Sequence, residues 1–353
     1  MKLYPKLILD ALTHVRYPGT GKDIVSSEMI EDDLRIDGNK VSFSLVFEKK
    51  NDPFAKSLVK ACEQAILTYV SPEVEIKENI TITFKQPVAT VTEKPLAQVK
   101  HTIAISSGKG GVGKSTISAN LAVALTKLGY KVGLLDADIY GPSIPKMFGI
   151  EGEHPTAESI NGKEWMMPIE KYGVKILSIG FFVDPDVALI WRGAMASNAI
   201  KQLINDAQWG ELDYFLIDLP PGTSDIHLTL VQALQLSGAI VVSTPQEVAL
   251  AAARKGLQMF QTAKIEVPIL GLVENMAWFT PAELPENKYY IFGKDGCKRL
   301  AEEKNVPLLA QIPIVQSICE SGDTGEPVAL KDNTILSEAF KTLAINMVNE
   351  LEK

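Results

Sequence analysis

The sequence predicts an α/β protein in which a mostly parallel sheet is covered by helices on both faces, with a small α+β domain in front of it. Three observations carry this. From His101 onward, short and nearly continuous apolar runs alternate with longer helix-patterned stretches, which is how strands buried on both faces of a parallel sheet read. A glycine-rich loop stands between the first of these runs and the next helical pattern. Residues 1–86 show a different mixture, two helical patterns and two alternating strands, before a proline-containing stretch.

In the first domain, residues 5–15 set Leu7, Ile8, Leu12 and Val15 at helical spacing. Residues 40–47, KVSFSLVF, alternate as a half-buried strand does. Residues 53–70 put Leu58, Ala61, Cys62 and Ile66 on one helix face, and residues 73–84, EVEIKENITITF, alternate again. Residues 87–100 hold Pro87 and Pro95 with Thr, Glu and Gln between them and read as a linker. The second domain, residues 101–353, carries the strand runs TIAIS, KVGLLD, VKILSIG, DYFLID, GAIVVST and VPILGLV, and ends in a helical pattern over residues 335–351.

A chain of 353 residues fits two domains, and 46% hydrophobic residues suffice for a sizeable core. The net charge of -8 argues against nucleic acid or an anionic membrane as partner, since both need clustered Lys and Arg. Cys62, Cys297 and Cys319 are scattered and odd in number, which points to a reducing compartment and no disulfide framework. The start, MKLYPKLILDALTHV, lacks the apolar core and small-residue cleavage site of a signal peptide, and no run reaches the ~18 apolar residues of a membrane span. A soluble cytoplasmic protein is expected.

Residues 102–116 read TIAISSGKGGVGKST: Gly108, four residues, then Gly113, Lys114 and Ser115, between a strand and a helix pattern. This is the setting of a phosphate loop. Glycines at 108, 110, 111 and 113 let the backbone around Val112 curl so that N–H groups converge on phosphate oxygens, and the helix start adds partial positive charge. Lys114 is expected on the β- and γ-phosphates of ATP, Ser115 on Mg²⁺, and Thr116 on the α-phosphate. Lys109 is a second lysine that a plain phosphate loop does not need.

Such a loop needs carboxylates at neighbouring strand ends. LLDADIYGPS offers Asp136 to support Mg²⁺ and Asp138 to orient a water; DYFLID, followed by LPPGT, offers Asp218 for Mg²⁺. Aspartates at such places also cap turns, and the phosphate loop is what favours the site. Gly222 could bring an N–H to the γ-phosphate, and Pro220 and Pro221 stiffen a segment that could switch with the nucleotide.

GKGGVGKST resembles the deviant phosphate loop of the SIMIBI ATPases, the class of MinD, ParA, the nitrogenase iron protein and the Mrp (ApbC) proteins. DADIYGPSIPKMFG, WRGAMAS, DLPPGTSDIHLTL, GLVENMAWF and QIPIVQSICESGDTGEPV are similar to Mrp proteins in particular, and the first domain resembles the iron–sulfur-assembly module often fused in front of them. The resemblance implies a homodimer sandwiching two ATP, with Lys109 crossing to the partner's nucleotide and Asp138 positioning the attacking water. It implies that Asn275 reads the adenine edge and that Pro313 lies in a base-flanking loop. It also implies slow ATP hydrolysis and the carriage of iron–sulfur clusters to apoproteins or assembly factors, with a [4Fe-4S] cluster bridging two subunits.

The chain departs from that family where the cluster would bind. No Cys-x-x-Cys follows GLVENM, and only Cys297 lies nearby as a candidate ligand. Asn51-Asp52-Pro53-Phe54 stands where the small module often has Cys-Pro, and Cys62 reads as core. His14, His101, His154 and His227 have no metal-ligand spacing. Two rivals therefore stand beside the cluster carrier: a cluster-free ATP-driven switch acting on a partner protein, and a MinD- or ParA-like positioning ATPase. Against the latter, FKTLAINMVNELEK balances its two lysines with two glutamates and reads as a packing helix.

Overall fold

The computed structural model describes residues 3–18, 21–27, 29–31, 33–47, 52–84, 96–160, 162–182, 193–222, 227, 231, 234–262, 265–281, 283–284 and 286–353. They fall into two units, Met1–Glu93 and Lys94–Lys353.

In the N-terminal unit, helix α1 (Pro5–Leu12) starts on a proline, whose fixed φ and missing N–H suit a first turn. Strands β1 (Arg35–Asp37) and β2 (Lys40–Phe47) pair antiparallel, with Gly38 at φ +61 in the turn between them. Helix α2 (Ala55–Tyr69) crosses to β3 (Ile80–Phe84), which pairs parallel with β2. Ile8, Leu12, Phe43, Leu45, Leu58, Cys62 and Ile66 form the core, with Cys62 fully buried as its helical face implies. The alternation at residues 73–84 yields a strand only from Ile80. Val74 and Ile76 are buried, but a single bridge, Lys40 to Glu75, pairs this stretch, and Glu78 at φ 64 breaks the extension before β3.

In the C-terminal unit the main chain runs β4 (Val99–Ser107), α3 (Lys114–Lys127), β5 (Val132–Asp136), the short α4 (Ile144–Met147), then β6 (Thr156–Ile160), β7 (Lys163–Met167), β8 (Ile169–Lys171) and β9 (Val174–Ser178). It continues through α5 (Gly193–Asn205), β10 (Leu212–Asp218), β11 (Gly238–Ser243), α6 (Glu247–Phe260), β12 (Ile269–Phe279), α7 (Gly296–Lys304), β13 (Leu308–Ile314), α8 (Gln316–Thr324) and α9 (Ile335–Leu351). The eight-stranded sheet has the order β13-β12-β11-β4-β10-β5-β9-β8. All its neighbours are parallel except the edge strand β8. β6 and β7 make a separate antiparallel hairpin.

The strands inside the edge strand β8 feed two cores. Along β4, Ile103 and Ile105 belong to one core with Leu121 of α3 and Leu343 of α9, while Ala104 belongs to the other with Ile200 of α5 and Leu257 of α6. That double burial is why the runs read as continuous rather than alternating. α9 begins in a capping box of Thr334 and Ser337 and buries Phe340, Leu343, Ala344 and Met347. It is the packing helix that its charge balance suggests. Among the described residues no helix is long and apolar enough to cross a membrane. β4 starts at Val99, inside the stretch read as linker, because its first residues already pair with β10.

Candidate functional site

Adjacent parallel strands put the site together. β10 lies between β4 and β5, with Asp218 in register with Ile105 on one side and Asp136 on the other. Two aspartates far apart in sequence thus end neighbouring strands on one rung, beside the loop that leaves β4. Ligands bind at this carboxyl edge of an open α/β sheet, where the connections diverge.

The loop depends on its glycines at specific points. Gly111 and Gly113 have φ +78 and +82, where a side chain would be strained. A Cβ on Gly108 would run into the backbone of Ala252 on α6, so this glycine lets the loop lie against that helix. The Ser107 hydroxyl donates to the Lys109 carbonyl at 3.0 Å and ties the first turn. α3 starts at Lys114, so its first N–H groups belong to the loop itself.

Lys114 is 6% exposed and its Nζ lies 2.7 Å from Asp218 Oδ2 and 3.7 Å from Asp138 Oδ2. The Ser115 hydroxyl donates to Asp218 Oδ2 at 2.6 Å, and the Ser118 hydroxyl to Asp218 Oδ1 at 2.5 Å. A cavity of about 210 Å³ opens here between Gly110, Gly111, Gly113 and Ser115 on one side and Asp138, Ser143, Met147 and Pro221 on the other. The residues fit ATP and Mg²⁺. The acidic rung already accepts an ammonium cation, and its donors are a hydroxyl and carboxylates, the hard oxygens that Mg²⁺ selects.

Asp136, the residue expected to support Mg²⁺, here holds the chain that follows it. It is fully buried and accepts from the backbone N–H of Asp138 (3.1 Å), that of Ile144 (3.2 Å) and the Ser178 hydroxyl (2.9 Å). These bonds pin both ends of the segment from Asp138 to Ile144 and tie it to β9. Burial, and then the charge of Asp218, push its carboxyl up to about 7, with Lys114 and the hydrogen bonds opposing. Asp138 stands at the cavity rim; burial raises its pKa and Lys114 lowers it.

Asn275, at the bulged end of β12, gives its amide to the loop: Nδ2 donates to the Val112 carbonyl at 2.8 Å. This is a hold on the phosphate loop and is distinct from the adenine contact implied by resemblance. Pro313 lies within β13, buried, and not in a loop; β13 is the sheet edge, where a residue without an N–H is tolerated. Lys109 is partly exposed and makes no ion pair among the described residues.

Cys297 does not suit a cluster ligand. It sits fully buried in the first turn of α7, its N–H donating to the buried Glu274 carboxylate, and burial followed by Glu274 pushes its thiol up. A thiol so placed is closed off from solvent, and a raised pKa withholds the thiolate that iron needs. Cys62 is also buried, Cys319 is exposed, and among the described residues no group of three or more His, Cys, Asp or Glu could hold a metal ion. Residues 223–226, 228–230, 191 and 192, which carry parts of the DLPPGTSDIHLTL and WRGAMAS strings, lie outside the described residues.

Two contributors escaped the sequence reading. Ser118 has a signal, since it lies three residues beyond Ser115 and so shares its helix face. Ser178 could be placed only by knowing that β9 pairs with β5, which sets it in register with Asp136.

A phosphate cradle between strand and helix, with an acidic rung at its side, defines a P-loop NTPase. The comparisons carry this to a family. A model described as the NUBPL iron-transfer P-loop NTPase matches residues 98–348, and the chain belongs to that family. Residues 6–77 match a model of iron–sulfur cluster assembly proteins. An iron–sulfur cluster carrier protein of Synechocystis is 43% identical over 92% of this chain and 90% of its own length, and one of Deinococcus radiodurans is 37% identical over 98% and 95%. Among solved structures, a nucleotide-binding protein of Archaeoglobus fulgidus in complex with ADP matches with TM-score 0.59 and 36% identity, covering 68% of this chain and 93% of that one. The cell division ATPase MinD of Pyrococcus furiosus matches with TM-score 0.51 and 26% identity, over 70% and 98%.

Proposed function

We propose that this chain is an ATPase that carries iron–sulfur clusters to apoproteins, working as a homodimer. The observation that carries the reading is the contact of Lys114, Ser115 and Asp218 under the glycine loop, in a chain whose two matched regions belong to iron-transfer and cluster-assembly families. When bound, Mg²⁺ would supply charge neutralisation on the β- and γ-phosphates. Lys114 would exchange Asp218 for phosphate, the loop N–H groups would hold the phosphate oxygens, and Asp138 would orient the water. Lys109, partly exposed, is the residue suited to reach a partner subunit's nucleotide.

The cluster is cargo, and its ligands are not a cysteine pair of this chain. One observation favours a second reading, a cluster-free ATP-driven switch: Cys297, the cysteine nearest the family's cluster position, is sealed in the core. The test is iron and acid-labile sulfide per protomer after anaerobic reconstitution, followed by transfer to an apo-ferredoxin. The carrier reading expects a transferable cluster that survives Cys297→Ala and is lost in Cys319→Ala, the exposed thiol. No cluster above a serum-albumin control would overturn the carrier reading and leave the switch.

A further inference from the structure

Asp218 uses its two carboxylate oxygens separately. Oδ2 takes Ser115 at 2.6 Å and Lys114 at 2.7 Å; Oδ1 takes the Ser118 hydroxyl at 2.5 Å. Ser118 and Asp218 are both 0% exposed, so no solvent molecule can stand in for either. The other acceptor near Ser118 is the Lys114 carbonyl at 3.1 Å. A hydroxyl has one proton to give, and an ionised carboxylate takes it more strongly than a carbonyl does.

We propose that Ser118 is a positioning residue for magnesium-dependent nucleotide binding: by holding Oδ1 it fixes the plane of the Asp218 carboxylate and keeps Oδ2 aimed at Ser115. The inference rests on the nucleotide reading above. A carboxylate turns easily about its terminal torsion, which is broad and has no deep wells. That rotation moves both oxygens together, so the Ser118 bond on Oδ1 resists it alongside the Lys114 and Ser115 contacts, which both bear on Oδ2. When Lys114 turns to phosphate, Oδ2 loses one of its two partners, and Ser118 becomes the contact that holds the group in register. With alanine at 118, Oδ1 is a dry acceptor without a donor. The carboxylate then rotates to share the Ser115 proton between its oxygens, and the hydroxyl that would face Mg²⁺ moves with it. Groups that orient metal ligands in this way are worth about 10- to 100-fold in metal affinity or activity.

The test titrates a fluorescent ADP analogue onto the full chain, first in EDTA and then with stepped Mg²⁺, for wild type, Ser118→Ala and Ser118→Thr. In EDTA, Ser118→Ala should bind within about twofold of wild type, which also shows that the loop is folded. The Mg²⁺ concentration at half-effect should rise about tenfold. Ser118→Thr keeps the hydroxyl and should return toward wild type. An unchanged Mg²⁺ response in Ser118→Ala overturns the inference, and so does an equal loss in EDTA, which would assign Ser118 to loop packing. A wild-type chain that binds no nucleotide would overturn the nucleotide reading and this inference with it.

Discussion

Removing the Lys114 ammonium from the nucleotide-free protein should destabilise the C-terminal unit severely, and removing Asp218 as well should restore much of the loss. The lysine is 6% exposed, with its Nζ 2.7 Å from Asp218 and 3.7 Å from Asp138. At an effective dielectric of about 20 these contacts are worth about 6 and about 4.5 kcal/mol gross. Most of that offsets the desolvation of the charges, so the gross sum is no measure of stability. Breaking a buried pair is a different matter, because it strands the partner; the expected loss for Lys114→Ala is about 3–5 kcal/mol. The stranded group is Asp218, fully buried beside Asp136 and near Asp138. Adding Asp218→Asn removes the stranded charge, so the double variant should be less damaged than the two single losses predict, with a coupling of about 2–3 kcal/mol. Urea unfolding in EDTA, followed by tryptophan emission, reads this unit alone: all four tryptophans (Trp165, Trp191, Trp209 and Trp278) lie within it. Additivity within about 0.5 kcal/mol would refute the reasoning.

Two further predictions concern pH and the partner subunit. Asp136 is pushed from its ordinary 3.8 up to about 7, so between those values the folded chain keeps a proton that the unfolded chain has released. Stability of the C-terminal unit should therefore fall as pH rises through that window, and Asp136→Asn should flatten the dependence of the urea midpoint between pH 5 and pH 8; an unchanged slope would exclude Asp136 as its source. Lys109→Ala should leave ADP affinity within about twofold but cut ATP turnover by about a thousandfold, the scale of a cationic finger supplied to the phosphates. Wild-type turnover in that variant would remove the cross-subunit role.

Much of this protein is legible from its residues in order. The phosphate loop is local: glycines at fixed offsets, a lysine and a hydroxyl follow one another between a strand and a helix, and the backbone conformation they require is built from neighbours in sequence. The doubly buried strands are also local, since continuous apolar runs such as GAIVVS can be satisfied only between two layers. The final helix, at Ile335–Leu351, is readable for the same reason, with its apolar side at regular spacing.

Tertiary structure decided what the candidate residues do to one another. Asp136 and Asp218 share a rung because β10 inserts between β4 and β5, a strand order that no local pattern specifies. That order brings Ser178 to Asp136, and gives Asp218 the hydroxyls and Lys114. Asn275 stands out in the sequence only through the resemblance, and its partner here, the Val112 carbonyl, is 163 positions away. Cys297 shows the limit most directly. In sequence it is a cysteine in a polar stretch of lysines and an aspartate. In the fold it opens a helix whose first turn is buried against Glu274, and burial rather than residue type sets whether a thiol can serve as a ligand. Sequence fixes which chemical groups are available and the local turns that present them; which groups face each other, and which are sealed from water, follows from strand order and packing between residues distant along the chain.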